Sequence, residues 1–256
     1  MNAKIAIGKS SSFGLDALAQ MYRLRATIFG ERMGWEVDVR SGMEIDGYDA
    51  LSPYYMLVQD DSGAVSGCWR LLPTQGPYML RDTFPQLLHG QRAPASPRIW
   101  ELSRFAIVSR ERAGFGLGEL SLDAMRAVVR FAHKHDITSY VTVTTTALER
   151  LLIRARIATQ RFGPPMRIGN VNTVALSIDL GAQTHEALFG AGQGRVSAHD
   201  GLEQPLRAAD EGAAGVVKAQ QRMHFARQTD ALGGRDACAG RLAGGKAPDP
   251  ERAATA

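Results

Sequence analysis

The chain has 256 residues, 45% of them hydrophobic, and a formal net charge of +4. That allows one large domain or two small ones around a sizeable core, and it is too weakly basic to imply nucleic acid, though it suits an acidic partner. The two cysteines, Cys68 in a strand-like run and Cys238 in a Gly/Ala-rich tail, point to a reducing compartment rather than a disulfide. With no apolar leader and no stretch able to span a bilayer, a soluble cytoplasmic protein is expected.

Lys4 to Gly8 alternates weakly and predicts a first, edge strand. Ser10, Ser11 and Ser12 offer helix caps. From Phe13 onward, Leu15, Leu18, Met21, Tyr22, Ile28 and Phe29 recur at helical spacing. This helix carries Arg25 and should end between Gly30 and Gly34, just before Trp35. Glu36 to Pro53 is acidic and turn-rich, with Glu44, Asp46 and Asp49. Its Met43, Ile45, Tyr48 and Leu51 predict an ordered loop packed down over a sheet. Tyr54–Asp60 and Val65–Leu72 read as a hairpin, with Arg70 inside the second strand. A short helix is expected over Leu80–Leu88, containing Phe84.

Ile99 to Val108 is the stretch on which the rest depends. Alternation places Glu101, Ser103 and Phe105 on one face and Trp100, Leu102 and Arg104 on the other. Apolar residues on both faces predict a central strand. A carboxylate, a hydroxyl and a guanidinium there each need a partner or a substrate. A buried Glu–Arg ion pair is the structural reading, and a reaction site is the functional one.

Gly114-Phe115-Gly116-Leu117-Gly118 follows, between strand and helix, where backbone N–H groups can hold a phosphate. Coenzyme A-binding acetyltransferases carry Arg/Gln-x-x-Gly-x-Gly/Ala at such a point. Here Glu111 and Ala113 stand three residues before Gly114 and Gly116, so the loop reads as a flexible turn. An amphipathic helix is predicted over Glu119–His135, a strand over Ser139–Thr146, a helix over Ala147–Ala158 and a last strand over Val171–Leu180. Residues 1–190 thus read as one α/β domain, a mixed sheet with helices on its faces. Residues 191–256 turn to Ala, Gly, Arg, Asp and Gln, a low-complexity tail expected to be disordered or loosely helical.

There is no Ser/His/Asp or Cys/His constellation. None of the 6 histidines stands at metal-ligand spacing with Cys or a second His on strands. The polar residues in apolar settings are Arg25, Asp46, Asp49, Arg70, Glu101, Ser103 and Arg104. Around them stand Arg25-x-x-x-Phe29, Gly34-Trp35, Glu44-Ile45-Asp46-Gly47-Tyr48-Asp49, Gly67-Cys68-Trp69-Arg70-Leu71-Leu72, Trp100-Glu101-Leu102-Ser103-Arg104-Phe105 and Val143-Thr144-Thr145-Thr146. In these motifs, from the first helix to about Gly190, the chain resembles the LuxI-type acyl-homoserine-lactone synthases. Met43 to Leu57, with Gly76-Pro77-Tyr78-Met79-Leu80, is most similar to the long-chain 3-oxo-acyl members.

The resemblance implies an N-acetyltransferase-like αβα sandwich with a mixed central sheet split by a cleft. It implies two substrates, an acyl-acyl-carrier-protein and S-adenosylmethionine, and no metal or bound cofactor. The amine of S-adenosylmethionine attacks the thioester, and its carboxylate then closes the lactone and expels methylthioadenosine. Glu101 is the expected base. Asp46 and Asp49 are expected near the amine or sulfonium, with Arg70 and Arg104 binding the carboxylate or bracing the acidic loop. Arg25, Phe29 and Trp35 are expected to order a lid over S-adenosylmethionine, and Ser103, Thr144 and Phe84 to follow the acyl chain. In the family a hydroxyl at the Thr144 position goes with acceptance of a 3-oxo group. Arg150 and Arg154, in a basic run with Arg156, Arg161 and Arg167, are either a solvated helix face or a docking surface for the acidic carrier.

The structural counterpart of all these roles is an ion network joining loop to sheet, with Thr144 present for its β-propensity alone. Two other functions share the features: a coenzyme A-dependent N-acyltransferase acting on another amine, and a non-enzymatic sensor of S-adenosylmethionine or acyl chains. Release of methylthioadenosine together with a lactone separates the first reading from both.

Overall fold

The weak alternation at the N-terminus forms strand β1 (Lys4–Lys9), which runs antiparallel to Tyr54–Gln59 at the sheet edge. The computed structural model describes residues 3–108 and 118–190. The glycine turn as far as Leu117 and the tail 191–256 lie outside the described residues.

After β1 come α1 (Leu15–Arg25), continuing as a π-helix over Ala26–Arg32, and the ribbon β2 (Val39–Arg40) and β3 (Met43–Glu44). The hairpin β4 (Tyr54–Gln59) and β5 (Val65–Pro73) follows, then α2 (Met79–Asp82) and β6 (Ile99–Ile107). The remainder is α3 (Glu119–Lys134), β7 (Ser139–Thr145), α4 (Thr146–Arg154), β8 (Thr159–Arg161), β9 (Met166–Ile168), β10 (Val171–Asp179) and α5 (Ala182–Phe189). The main sheet has the order β1-β4-β5-β6-β7-β10-β8, with β9 also paired to β10. Among the described residues only β6 and β7 run parallel, a connection that needs a crossover and has α3 within it.

Each face of the sheet carries its own core, so the expected αβα sandwich holds. The apolar stripe of α3 (Ala124, Met125, Val128, Val129, Ala132) packs on Met56, Leu71, Leu102, Tyr140 and Leu176. On the other face Met21 of α1 packs with Tyr55, Leu57, Leu72 and Val141. Period-2 alternation along β4 sends neighbouring residues to opposite cores. None of the helices among the described residues is long and apolar enough to cross a membrane.

Three local expectations need correction. The serines form a 3₁₀ turn, Ser10–Ser12, and leave the start of α1 to Gly14, with no side-chain cap. The Leu80–Leu88 helix is broken into α2 and a 3₁₀ turn, Pro85–Leu88. Pro85 disfavours helical backbone at Phe84 and donates no N–H. The three-residue strands β8 and β9 are too short to show a periodic pattern.

The most consequential correction is in β6. Its register with β5 shifts between Cys68↔Ala106 and Arg70↔Ser103, so Trp69 faces both Arg104 and Phe105. Arg104 takes a left-handed backbone, φ +59°. A bulge of this kind inverts the alternation after it. Arg104 therefore joins Glu101 and Ser103 on the α1 face, while Phe105 goes to the α3 face against Trp69. Left-handed backbone at a non-glycine residue is unfavourable by roughly 1–3 kcal/mol and persists where surrounding contacts fix it. The parallel β6–β7 ladder ends at Leu102↔Thr142 although both strands run on. Past that point the strands part, with Ser103 and Arg104 on one lip and Val143 and Thr144 on the other.

Candidate functional site

Arg25 at the end of α1, Arg70 inside β5 and Arg104 at the β6 bulge converge beneath the acidic loop. Arg25 Nε donates to Glu44 at 2.5 Å, and its two terminal nitrogens donate to Asp49 at 2.8 and 2.9 Å. Arg70 donates twice to Asp46, at 2.5 and 3.0 Å, and to Asp49 at 2.9 Å. Arg104 Nη2 bridges Glu44 at 2.6 Å and Asp46 at 3.0 Å. Planar guanidiniums suit such forked pairing, which a lysine could not reproduce. The loop also ties itself: Asp46 N–H donates to Asp49, Tyr48 N–H to Asp46, and the Tyr55 hydroxyl to Asp49 at 2.7 Å.

Burial disfavours the Asp49 carboxylate, but Arg25 and Arg70 overcome it and hold its pKa well below the usual range. Burial is likewise outweighed at Glu44, by Arg104 and Arg25, and its pKa is lowered. Of the three acidic side chains Asp46 is the most exposed, at 15% against 0% for Glu44 and 4% for Asp49. It is the one a ligand can reach first.

Glu101 sits apart from this network. The expected Glu101–Arg104 pair does not form, because the bulge sends Arg104 to Glu44 and Asp46. Glu101 is fully buried and accepts the N–H groups of Met79 and Leu80, at 2.9 and 2.7 Å, in the first turn of α2. Burial raises its pKa, and the two backbone donors, Arg70 and Ser103 only partly oppose this. A carboxylate shifted toward neutrality is a better proton acceptor for a reaction near pH 7.

At the π-helical end of α1, Phe29 stacks on Trp35 (5.6 Å between ring centres), and Trp35 reaches Phe84 (5.4 Å). The Arg104 guanidinium lies over Phe29 at 5.1 Å. Across the site Tyr48 and Thr83 hydroxyls meet at 2.8 Å, joining the acidic loop to the α2 wall. Trp35 Nε1 and Arg104 Nε are buried with no hydrogen-bond partner among the described residues. Unused donors of this kind call for an explanation, and a ligand is one.

On the α3 face lies an apolar cavity of about 380 Å³, counting its open mouth. Trp69, Phe105, Met125, Leu152 and Ile178 form its walls, and Ser121, Thr142 and Thr144 add hydroxyls. The three residues expected along an acyl chain are not together. Thr144 lines this cavity. Ser103 follows Glu101 to the other face and accepts from Arg70 Nε at 3.2 Å, and Phe84 lies against Trp35. The parting of β6 and β7 is where the two faces approach each other.

Helix α4 contributes Leu148 and Leu152 to the cavity wall and exposes Arg150 and Arg154. Arg161 is not free to join them, because buried Glu149 accepts from it twice at 2.5 Å. Glu44 was missed as a site residue. The apolar side chains of the loop drew attention to Ile45, which is 44% exposed, while Glu44 is fully buried. The available signal was the i, i+2 spacing of Glu44 and Asp46, which, with Asp49, matches three arginines in number.

The Autoinducer synthase family profile matches residues 13–188. An acyl-homoserine-lactone synthase of Pseudomonas aeruginosa is 53% identical over 188 residues, 73% of this chain and 94% of that one. The crystal structure of the AHL synthase LasI matches with a TM-score of 0.69 at 51% identity, covering 77% of this chain and 99% of that one. The structure of BjaI, a CoA-dependent acyl-homoserine lactone synthase with SAM and isopentyl-CoA, matches with a TM-score of 0.68 at 28% identity, covering 85% and 100%.

Proposed function

This chain belongs to the autoinducer synthase family and is an acyl-homoserine-lactone synthase, an acyltransferase of quorum sensing; from there we propose that it joins a long 3-oxo-acyl chain, carried as a thioester on acyl carrier protein, to S-adenosylmethionine. The supporting observation is the parting of β6 and β7 between the polar cluster and the apolar cavity. An acyl chain laid in the cavity brings its thioester to the lip beside Ser103, and Glu101 stands on the same face.

S-adenosylmethionine carries a sulfonium, an ammonium and a carboxylate, one net positive charge. The site sets four carboxyl groups, Glu44, Asp46, Asp49 and Glu101, against three guanidiniums, an acidic excess that suits a cationic ligand. In this reading Asp46 meets the cationic end, and the faces of Phe29 and Trp35 suit the sulfonium. Glu101 takes a proton from the ammonium, directly or through water. The free amine attacks the thioester carbonyl, a C–N bond forms, and the carrier thiol leaves with a proton. The carboxylate oxygen then attacks the γ-carbon, the C–S bond breaks with its electrons on sulfur, and methylthioadenosine departs. No bound cofactor takes part in this scheme, both substrates are found in cytoplasm, and residues 191–256 are an appended tail beyond a synthase domain of residues 1–190.

Burying a 3-oxo carbonyl without a donor is unfavourable by roughly 1–3 kcal/mol. The Thr144 hydroxyl removes that penalty, and each further CH₂ buried adds about 0.8 kcal/mol in favour of long chains. For the carrier, Arg150 and Arg154 stand exposed on the outer face of the helix whose inner face lines the cavity. Reversing both to Glu should raise KM for the acyl-carrier-protein donor and spare S-adenosylmethionine, and added salt should mimic the change. The donor is tested by kcat/KM for one acyl group on carrier protein and on coenzyme A. A preference for coenzyme A, as in BjaI, would overturn the donor assignment and leave the synthase reaction standing.

A further inference from the structure

The lid that carries Phe29 and Trp35 ends in a tight cap. Met33, Gly34 and Trp35 N–H groups donate back to Ile28, Gly30 and Phe29 carbonyls at 3.0, 3.2 and 2.9 Å, and Gly34 takes φ +63°. A helix end leaves carbonyls without partners inside the helix. One of them is satisfied from far along the chain, where Asn170 N–H, in the β9–β10 turn, donates to Met33 O at 2.9 Å. The contact is backbone on backbone. A Cβ on Gly169 (φ +57°) would lie 2.4 Å from Gly34 O and 2.7 Å from Met33 O, and a Cβ on Gly34 would lie 2.5 Å from Asn170 Nδ2. Ile168 and Val171, on either side of the turn, pack against the core cluster that contains Phe29 and Trp35.

We propose that the Gly169–Asn170 turn is the catch that fixes the lid, and that Gly169 and Asn170 are positioning residues for S-adenosylmethionine, acting through Phe29 and Trp35. Neither touches a reacting atom. The inference rests on the reading that S-adenosylmethionine lies beneath the lid. Only glycine at 169 lets the two backbones meet. Any side chain there forces the Gly34 carbonyl from 2.4 Å to beyond 3.0 Å, and Trp35, the next residue, moves with it. Displacements of about 1 Å remote from the chemistry can cost on the order of 10²-fold, and this smaller one should cost about tenfold.

The test compares Gly169→Ala with Gly63→Ala in the full chain. Gly63 also has a left-handed backbone, φ +82°, but nothing lies within 4 Å of its Cβ position. It reports the strain of alanine at positive φ without the contact. Gly169→Ala should raise KM for S-adenosylmethionine about tenfold, leave KM for the acyl donor unchanged and speed hydrogen exchange in a peptide spanning residues 30–36. Gly63→Ala should change none of these. If Gly169→Ala does not fold, Asn170→Ala keeps the main-chain bond, removes the side chain against Gly34 and should give a smaller rise in the same KM. Equal KM values in the two glycine variants, a rise in both KM values, or an unmoved KM in Asn170→Ala would overturn the catch. If wild-type protein fails to bind S-adenosylmethionine, the substrate reading itself falls, so the two failures are distinguishable.

Discussion

Glu44→Gln tests whether the polar cluster stabilises the site or merely decorates it. Glu44 is fully buried and accepts one hydrogen bond each from Arg25 and Arg104. The amide keeps one acceptor oxygen and turns an NH₂ group toward the other guanidinium, donor against donor. One charge-assisted bond is lost, worth roughly 1.5–3 kcal/mol, and a buried cation loses part of its compensation. Removing one partner of a buried pair outright costs about 3–5 kcal/mol, so the retained oxygen places the expected loss near the lower end, about 3 kcal/mol. For a domain of this size 1 kcal/mol moves Tm by roughly 2–4 °C, which gives a fall of about 6–12 °C. Thermal melting and urea unfolding should agree, with an unchanged m-value. Asp38→Asn, which breaks the exposed Arg40–Asp38 pair, is the control and should not move Tm measurably. A fall of less than about 2 °C for Glu44→Gln would refute the reasoning.

Glu101→Gln keeps size and polarity but loses the proton acceptor, and kcat should drop on the order of 10²–10⁴-fold. Near wild-type methylthioadenosine production would make Glu101 only the support of α2. In the wild-type enzyme the rising limb of the pH–rate profile should lie above the ordinary carboxylate range, because burial raises the Glu101 pKa. Thr144→Val keeps the β-branch and removes the hydroxyl, so the kcat/KM ratio of 3-oxo to unsubstituted donors of equal length should fall about fivefold. An unmoved ratio would return Thr144 to an ordinary strand residue. Asp49 and Glu44 have lowered pKa values in the folded chain, so their stabilisation is present above the unfolded pKa and is lost as pH falls through the folded one. Glu101 has the opposite sign, losing its contribution as pH rises through its raised pKa. The two acidic residues bound to arginines should dominate, and a Tm unchanged between about pH 6 and about pH 3 would contradict this.

Most of the framework was legible because hydrophobic period reports which face a residue buries. The α3 stripe, the β4–β5 hairpin and the central position of β6 all follow from it. What period cannot show is a single inserted residue. The bulge at Arg104 inverts the strand after it, so strict alternation paired Arg104 with Leu102 and Phe105 with Glu101, the reverse of the structure. The same limit explains the acyl trio: Thr144 and Ser103 stand on opposite lips with opposite facing, which follows only from the register between their strands. Glu44 escaped notice because a charge in a loop ordinarily belongs to solvent. Its burial depends on Arg25 and Arg104, which arrive from two distant parts of the chain.

The most direct measurement is a reaction of purified protein with S-adenosylmethionine and a long-chain 3-oxo-acyl-carrier-protein, followed by liquid chromatography and mass spectrometry. Methylthioadenosine and 3-oxo-acyl-homoserine lactone should appear in equal amounts, with free carrier thiol rising in step. Acylated S-adenosylmethionine without methylthioadenosine, or methylthioadenosine without lactone, would contradict the coupled acylation and ring closure at this site.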